Sequence, residues 1–329
     1  MTARWGGFHS PLGSGIKVFL AHKRALGCRF WSEERVFRLL DRFLVEQHLT
    51  SLDDISPAII DAFLASRSRR SPGSYNHLRG SVARLFTWLA VHDLIPRSPV
   101  QARARRTTQS RLPFLFDPAA ARRLLDVAGS LQDNPIAPLR GPSYRTIFAL
   151  LYGLGLRVGE VTRLRIGDIE LPRQLLVVRH TKFAKSRLVP FGPRIATLVT
   201  DYLDRRAHRA GPLIPTMPVF SFRHGTCVAP KTISHTFHQL LPRLALSIPE
   251  GTASPCVHSL RHSFAVGTLL RWYRSGIDPQ SRLLQLSTFL GHVNPTSTAV
   301  YLTITTALLA EANQRFERWA DPLVQQVTP

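Results

Sequence analysis

Along the first hundred residues, apolar side chains recur every three or four positions, the spacing of one face of an α-helix. Ile16, Phe19 and Leu20 form such a stripe and stop before Gly27. Val36, Leu39, Leu40, Phe43 and Leu44 form the next, and Ser32 in Ser32-Glu33-Glu34-Arg35 stands where a capping side chain belongs. Ser56-Pro57 places a capping hydroxyl and a first-turn proline ahead of Ile59, Ile60, Phe63 and Leu64. Ser71-Pro72 or Ser74 opens the longest stripe, Leu78, Val82, Leu85, Phe86 and Leu89. Four amphipathic segments with short connections predict a small helical bundle.

The pattern lapses over residues 101–111, which are poor in apolar side chains and carry Arg103, Arg105, Arg106 and Arg111. It resumes near Leu112. Asp117-Pro118 repeats the cap-and-proline signal for a helix through Leu125, and Gly141-Pro142 precedes Tyr144, Ile147, Leu150, Leu151 and Leu154. After the break at Gly153 and Gly155, residues 157–164 predict a short helix. The unbroken apolar run 175–178 predicts a buried strand, with Leu188-Val189 as its partner across a turn at 181–186. Further helices are expected at 193–208, 231–246, 258–275 and 281–290, and a short one from Asn294-Pro295. A last one is expected over 306–319, with Leu308, Leu309, Ala312, Phe316 and Trp319 on one face. The expected fold is mainly α with a small β-sheet. Residues 1–108 form a helical domain that ends in a basic linker, and residues 109–329 form an α+β domain.

Composition points to a class of partner only through charge. At 44% apolar residues the 329-residue chain has enough material for a core in each domain. Its 43 Lys+Arg against 21 Asp+Glu leave a net charge of +22, strong attraction for a polyanion, and nucleic acid is the default candidate. Basic residues outnumber acidic ones in both halves. The arginine run at 101–111 is then either a solvated charge run or a segment that crosses DNA phosphates. Cys28, Cys227 and Cys256 are odd in number and lack a Cys-x-x-Cys pair, which argues against a disulfide framework or a zinc site. The N-terminus has no apolar signal-peptide core, and the longest apolar stretch, 146–156, is too short for a membrane span. A cytoplasmic, nucleoid-associated protein is the expectation.

Candidate chemistry lies in a scattered polar series. Arg157 sits in Gly153-Leu154-Gly155-Leu156-Arg157-Val158-Gly159-Glu160, and Lys182 in Thr181-Lys182-Phe183-Ala184-Lys185-Ser186-Arg187. His258-Ser259-Leu260-Arg261, Leu290-Gly291-His292 and Tyr301 follow. A phenol titrates near pH 10 and is a poor nucleophile at neutral pH unless cations surround it. Fixed guanidinium groups such as Arg157 and Arg261 stabilise the charge that an attacked phosphodiester gains. His258 and Arg261 share a helix face at their spacing. His262 is expected to face elsewhere and to be structural. A lysine on a turn can protonate a leaving oxygen.

This set, in this order over roughly residues 140–305, resembles the tyrosine recombinase (phage integrase) family. The resemblance implies that Tyr301 is the nucleophile and that Arg157 and Arg261 bind the scissile phosphate. It assigns His258 to proton transfer or phosphate binding, His292 to phosphate hydrogen bonding, and Glu160 to orienting the site from behind. It places the general acid at Lys182, with Lys185 as competitor. Lys185, Arg187, Arg103, Arg105 and Arg106 are the expected DNA contacts, and the N-terminal bundle is the expected core-binding domain. The partners implied are double-stranded DNA and a homotetramer, or related recombinases, on synapsed sites, with no metal, nucleotide or other cofactor. The last helix, over 306–319, packs on its own domain or on a neighbouring protomer. A long span between Arg261 and His292, with extra material near 275–280, looks more like mobile-element integrases or transposases than chromosome-dimer resolvases. A type IB topoisomerase and a non-catalytic DNA-binding accessory factor are the alternatives. A metal-dependent nuclease is disfavoured, because carboxylates are sparse around His258 and His292.

Overall fold

The structure is a computed structural model that describes residues 7–69, 71–106, 111–179, 186–223, 225–292, 294, 296–303, 310 and 313. The chain divides into two compact units, residues 1–110 and 111–329.

The first unit contains α1 (Gly13–Ala25), α2 (Trp31–Glu46), α3 (Pro57–Ser66) and α4 (Pro72–Val91). The stripes meet in one core that includes Ile16, Phe19, Phe37, Leu40, Ile60, Phe63, Val82 and Leu85, all inaccessible to solvent. Two caps form where the sequence places them. Ser56 Oγ accepts from the Ile59 N–H at 3.4 Å, and Ser71 Oγ from the Ser74 N–H at 3.1 Å. Ser32 does not cap α2. The N-cap is Phe30, in the left-handed region at φ 50°, and Ser32 lies inside the first turn with its hydroxyl on Glu33 at 2.8 Å. The buried Asp41 carboxylate ties the entry segment to α2 by accepting from the N–H groups of His9 and Ser10 and from the Ser10 hydroxyl. Residues 101–106 run back along α4. Asn76 and Arg105 exchange two hydrogen bonds of 2.8 Å, and the Arg79 Nε–H donates to the Ala102 carbonyl at 2.8 Å.

The second unit opens with α5 (Pro118–Gly129), capped by Asp117, whose Oδ1 accepts from the Ala120 N–H at 2.7 Å. Next comes α6 (Arg140–Gly153), which is buried along most of its length. Its first turn is capped from outside, as Asp133 accepts from the N–H groups of Leu139 and Arg140 at 3.0 and 2.9 Å. The α5–α6 contact requires Gly141, since a Cβ there would lie 2.3 Å from the Gly129 carbonyl oxygen. After α7 (Val158–Val161), strands β1 (Ile169–Glu170), β2 (Leu175–Val178) and β3 (Arg187–Pro190) form an antiparallel sheet in the order β1-β2-β3. Leu176 pairs with Val189 and Val178 with Arg187. Then follow α8 (Pro193–Ala210), a hairpin of β4 (Ser221–Arg223) and β5 (Thr226–Cys227), and α9 (Pro230–Leu240). Expected to continue to 246, α9 instead gives way to a 3-10 turn over Leu241–Leu244. Pro242 has no N–H to donate, and its ring clashes with the preceding turn of an α-helix. The chain continues through α10 (Val257–Arg274), α11 (Leu283–Leu290), α12 (Thr296–Ala299) and a 3-10 turn at Val300–Thr303.

Ile147, Phe148, Phe220, Phe237 and Leu260 belong to the main core of this unit. A smaller cluster, Ala265, Val266, Leu269, Leu286, Leu290 and Tyr301, joins α10 to α11 and holds the tyrosine ring. Apart from residues 310 and 313, the helix expected over 306–319 lies outside the described residues. No helix among those described is long and apolar enough to cross a membrane.

Candidate active site

The site is built on the C-terminal end of α11. A helix ends with carbonyls that have no partner within the helix. Here arginines supply the partners. Arg187 Nε–H donates to the Phe289 carbonyl at 2.8 Å, and Arg261 Nη2–H to that of Leu290 at 2.8 Å. Arg157 Nη2–H donates to that of Gly291 at 2.9 Å. Three positive groups thus meet the negative end of a helix. Gly291 ends α11 in the left-handed region at φ 68°, and the His292 N–H returns to the Ser287 carbonyl at 2.9 Å. A Cβ at Gly291 would come within 2.8 Å of the Arg187 guanidinium, so glycine gives Arg187 its place.

Glu160 links the arginines from behind. Its side chain is 2% exposed, and Arg187 donates to both carboxylate oxygens at 2.9 Å. Arg157 donates to it twice, from Nη1 and from its backbone N–H, each at 2.9 Å. Burial alone would raise the Glu160 pKa. The hydrogen bonds and charges of Arg187 and Arg157 outweigh burial and hold it at about 2. Arg261 is almost wholly buried, with Nη1–H on the Gly155 carbonyl at 2.6 Å. Burial, then the nearby Arg157, lower its pKa to about 9, so it stays charged at neutral pH. Among the described residues its Nε–H has no hydrogen-bond partner. Gly155, at φ 59°, lets this backbone pass close to Phe264, where a Cβ would lie 2.5 Å from the ring.

The other side of the site consists of rings. His262 follows Arg261 on α10, and its Nδ1 lies 2.8 Å from the Tyr301 hydroxyl. This corrects the expectation that His262 faces away. His258 and His262 are one helical turn apart, and their rings pack edge to face at 4.5 Å. That spacing was the available signal, since it puts both histidines on one face. His292 stacks on Tyr301 at 6.5 Å between centroids, and its Nδ1 lies 2.6 Å from the Thr298 hydroxyl. Burial, then the surrounding positive groups, lower both His262 and His292 to about 4. Partial desolvation, then Arg261 and Arg157, also push His258 down, although one edge of it reaches solvent. For the buried Tyr301, desolvation raises the phenol pKa against the lowering pull of Arg261 and Arg157.

The structure therefore brings Arg157, Glu160, His258, Arg261, His292 and Tyr301 together. Lys182 and Lys185 lie outside the described residues, between β2 and β3. Arg187, expected as a DNA contact, is a correction. The β2–β3 register turns it inward, its side chain is 10% exposed, and its guanidinium is engaged by Glu160 and Phe289. Arg103, Arg105 and Arg106 are exposed in the N-terminal unit, with the Arg105 guanidinium 4.0 Å over the Tyr75 ring. Among the described residues no group of three or more His, Cys, Asp or Glu is placed to hold a metal ion.

The phage integrase family profile matches residues 121–307. An integrase/recombinase of Sinorhizobium fredii (strain NBRC 101917 / NGR234) is 30% identical over 323 residues, which cover 95% of this chain and 99% of the relative. The tyrosine recombinase XerC of Listeria monocytogenes serotype 4b (strain F2365) is 27% identical over 272 residues, covering 81% and 84%. Among solved structures, the Tn1549 transposon integrase in complex with a circular intermediate DNA superposes with a TM-score of 0.64 at 18% identity, covering 95% of this chain and 100% of that one. A lambda integrase dimer bound to a core site gives 0.59 at 18% identity, covering 87% and 96%. These two likenesses concern the fold.

Proposed function

The chain belongs to the phage integrase family of tyrosine recombinases, and from that premise we propose that it is a site-specific DNA recombinase with Tyr301 as nucleophile. The Tyr301 oxygen attacks a scissile phosphate of double-stranded DNA, forming a 3′-phosphotyrosine and releasing a 5′-hydroxyl. The 5′-hydroxyl of a partner strand then attacks the phosphotyrosine and restores the tyrosine. Bond energy is kept in the phosphotyrosine, so the reaction needs neither metal nor nucleotide. One observation carries the reading: a buried tyrosine hydroxyl, held by a hydrogen bond, stands in the field of the charged pair Arg157 and Arg261.

The roles follow from chemistry. Negative charge grows on the non-bridging oxygens during attack, and charges already in place stabilise it without reorganisation. Arg157, one third exposed, presents its remaining donors. Arg261 offers the unpartnered Nε–H. His258 and His292 donate to the phosphate, and Glu160 with Arg187 keeps Arg157 and the end of α11 in register. Lys182 is the proposed general acid for the 5′-oxygen, with Lys185 as its competitor. Arg103, Arg105, Arg106 and Lys185 are the proposed phosphate contacts away from the reacting centre. Working protomers assemble as a homotetramer on synapsed sites of a mobile element, at the nucleoid.

Covalent trapping tests this. The protein is incubated in EDTA on nicked suicide duplexes that carry the element's ends, and denaturing gels are read for a protein–DNA adduct. The expected adduct maps to Tyr301 and is absent in Tyr301→Phe, which still binds DNA. An adduct that persists in Tyr301→Phe excludes Tyr301 as the sole nucleophile. Tight binding by wild type without any adduct favours a non-catalytic accessory factor.

A further inference from the structure

We propose that His262 is a catalytic residue of this site, the group that receives the Tyr301 proton during strand cleavage and returns it during rejoining. The inference rests on Tyr301 being the nucleophile. Its own observation is the 2.8 Å contact between His262 Nδ1 and the Tyr301 hydroxyl. An attacking phenol must lose its proton, and a base has to lie within hydrogen-bond reach of that proton.

The other candidate bases are engaged elsewhere or differently placed. Glu160 accepts from two arginines behind the site. His292 has its Nδ1 on Thr298 and meets Tyr301 by ring stacking. The His258 ring packs against His262. His262 is also well fixed, being carried by the second turn of an 18-residue helix and flanked by the His258 ring. Burial, then the positive field of His258 and Arg261, keeps its imidazole neutral, the state that has a lone pair to offer. A phosphodiester anion entering between Arg157 and Arg261 offsets that positive field, and a nearby anion favours imidazolium. The base therefore strengthens when the substrate is present.

The step balances. As the Tyr301 oxygen bonds to phosphorus, its proton passes to His262 Nδ1. The bond from phosphorus to the 5′-oxygen breaks, and that oxygen takes a proton from the general acid. In rejoining, the incoming 5′-hydroxyl gives its proton back to the acid, the bond from phosphorus to the tyrosine oxygen breaks, and His262 returns the proton to that oxygen.

The test is single-turnover adduct formation at saturating protein with wild type, His262→Ala, His262→Phe and His262→Gln. It uses suicide duplexes with either oxygen or sulfur at the 5′-bridging position. Loss of a general base slows the step by about 10²–10⁴-fold. The expected result is such a loss in all three variants with DNA binding retained, and partial recovery of His262→Ala by added imidazole. The same loss is expected on the sulfur substrate, because sulfur leaves without needing a proton. Lys182→Ala, by contrast, should recover on sulfur. Adduct formation by His262→Phe or His262→Gln within about threefold of wild type overturns the proposal, as does a His262 defect that disappears on sulfur. His262→Gln keeps a hydrogen-bond acceptor without a base, so full activity there reduces the residue to a positioning group. If wild type itself forms no Tyr301 adduct, the nucleophile assignment and this proposal fall together. A wild-type adduct with an unimpaired His262→Phe removes this proposal alone.

Discussion

The two sides of the site hold their groups by opposite means. On one side Glu160, Arg157, Arg187 and Arg261 are tied to one another and to the end of α11 by charge-assisted bonds, mostly of 2.6–2.9 Å. On the other, His258, His262, His292 and Tyr301 pack as rings, with one hydrogen bond between His262 and Tyr301 and one between His292 and Thr298. The positive side is organised before any anion arrives, as electrostatic stabilisation requires. The ring side is kept neutral chiefly by burial, which depresses His262 and His292 and raises Tyr301 against the lowering pull of Arg261 and Arg157, so its nucleophile rests as a phenol. The contrast separates charge that must never move from protons that must.

Removing the centre of the charged side should have the largest effect. In Glu160→Ala, Arg157 and Arg187 lose their shared carboxylate in a largely buried setting. Breaking such a buried cluster costs about 3–5 kcal/mol. Urea unfolding should show that loss, whereas His262→Phe should shift stability by about 1 kcal/mol or less. Equal losses in the two variants would mean that the charged side is no more structural than the ring side.

Acid should separate the sides in order. His262 and His292 are neutral in the fold with pKa values of about 4, against an ordinary 6.5. Below pH 6.5 the unfolded chain binds protons that the folded site does not, so this side loses stability as pH falls from 6.5 to 4. Glu160 lies at about 2 in the fold against an ordinary 4.5. Its stabilisation is complete above 4.5 and is lost as pH falls towards 2. Urea unfolding in small pH steps should show the double variant His262→Gln, His292→Gln losing less stability than wild type between pH 6.5 and 4. Matching curves would mean that these rings titrate as freely in the fold as in the unfolded chain.

This division also explains what could be read from the sequence. Helices with a hydroxyl or carboxylate cap before a first-turn proline, at Ser56, Ser71 and Asp117, start where the pattern places them. Local signals suffice there. Ser32 offers a capping hydroxyl without the proline, and the chain enters α2 through a left-handed Phe30 instead. Strand β1 and the β4–β5 hairpin run two or three residues each, too short to show a period. In the site, the residues with a motif around them, Arg157, His258, Arg261 and His292, are among those that the fold brings together. The sequence shows the charge of Arg187 and not the carboxylate beneath it, which comes from Glu160, distant in the chain. Adjacency to Arg261 does not say where His262 points, whereas its one-turn spacing from His258 puts the two rings on one face.

The smallest expected effect tests how finely the ring side is set. Thr298 is fully buried, and its hydroxyl lies 2.6 Å from His292 Nδ1. Thr298→Val keeps the shape and removes the hydroxyl, so stability should fall by about 1 kcal/mol, the net worth of one hydrogen bond. The imidazole then loses what fixes its rotation about the ring axis, and its other nitrogen no longer has one set direction. If that nitrogen meets the phosphate, adduct formation should slow by about tenfold, matching one hydrogen bond in the transition state. His292→Ala, which removes the donor outright, should slow it further. The loss of stability below pH 4.5 that comes from Glu160 should be unchanged in Thr298→Val, because that carboxylate is held by Arg187 and Arg157. A Thr298→Val variant as slow as His292→Ala would show that aiming the ring matters as much as having it. A wild-type rate would show that stacking on Tyr301 alone holds His292 in place.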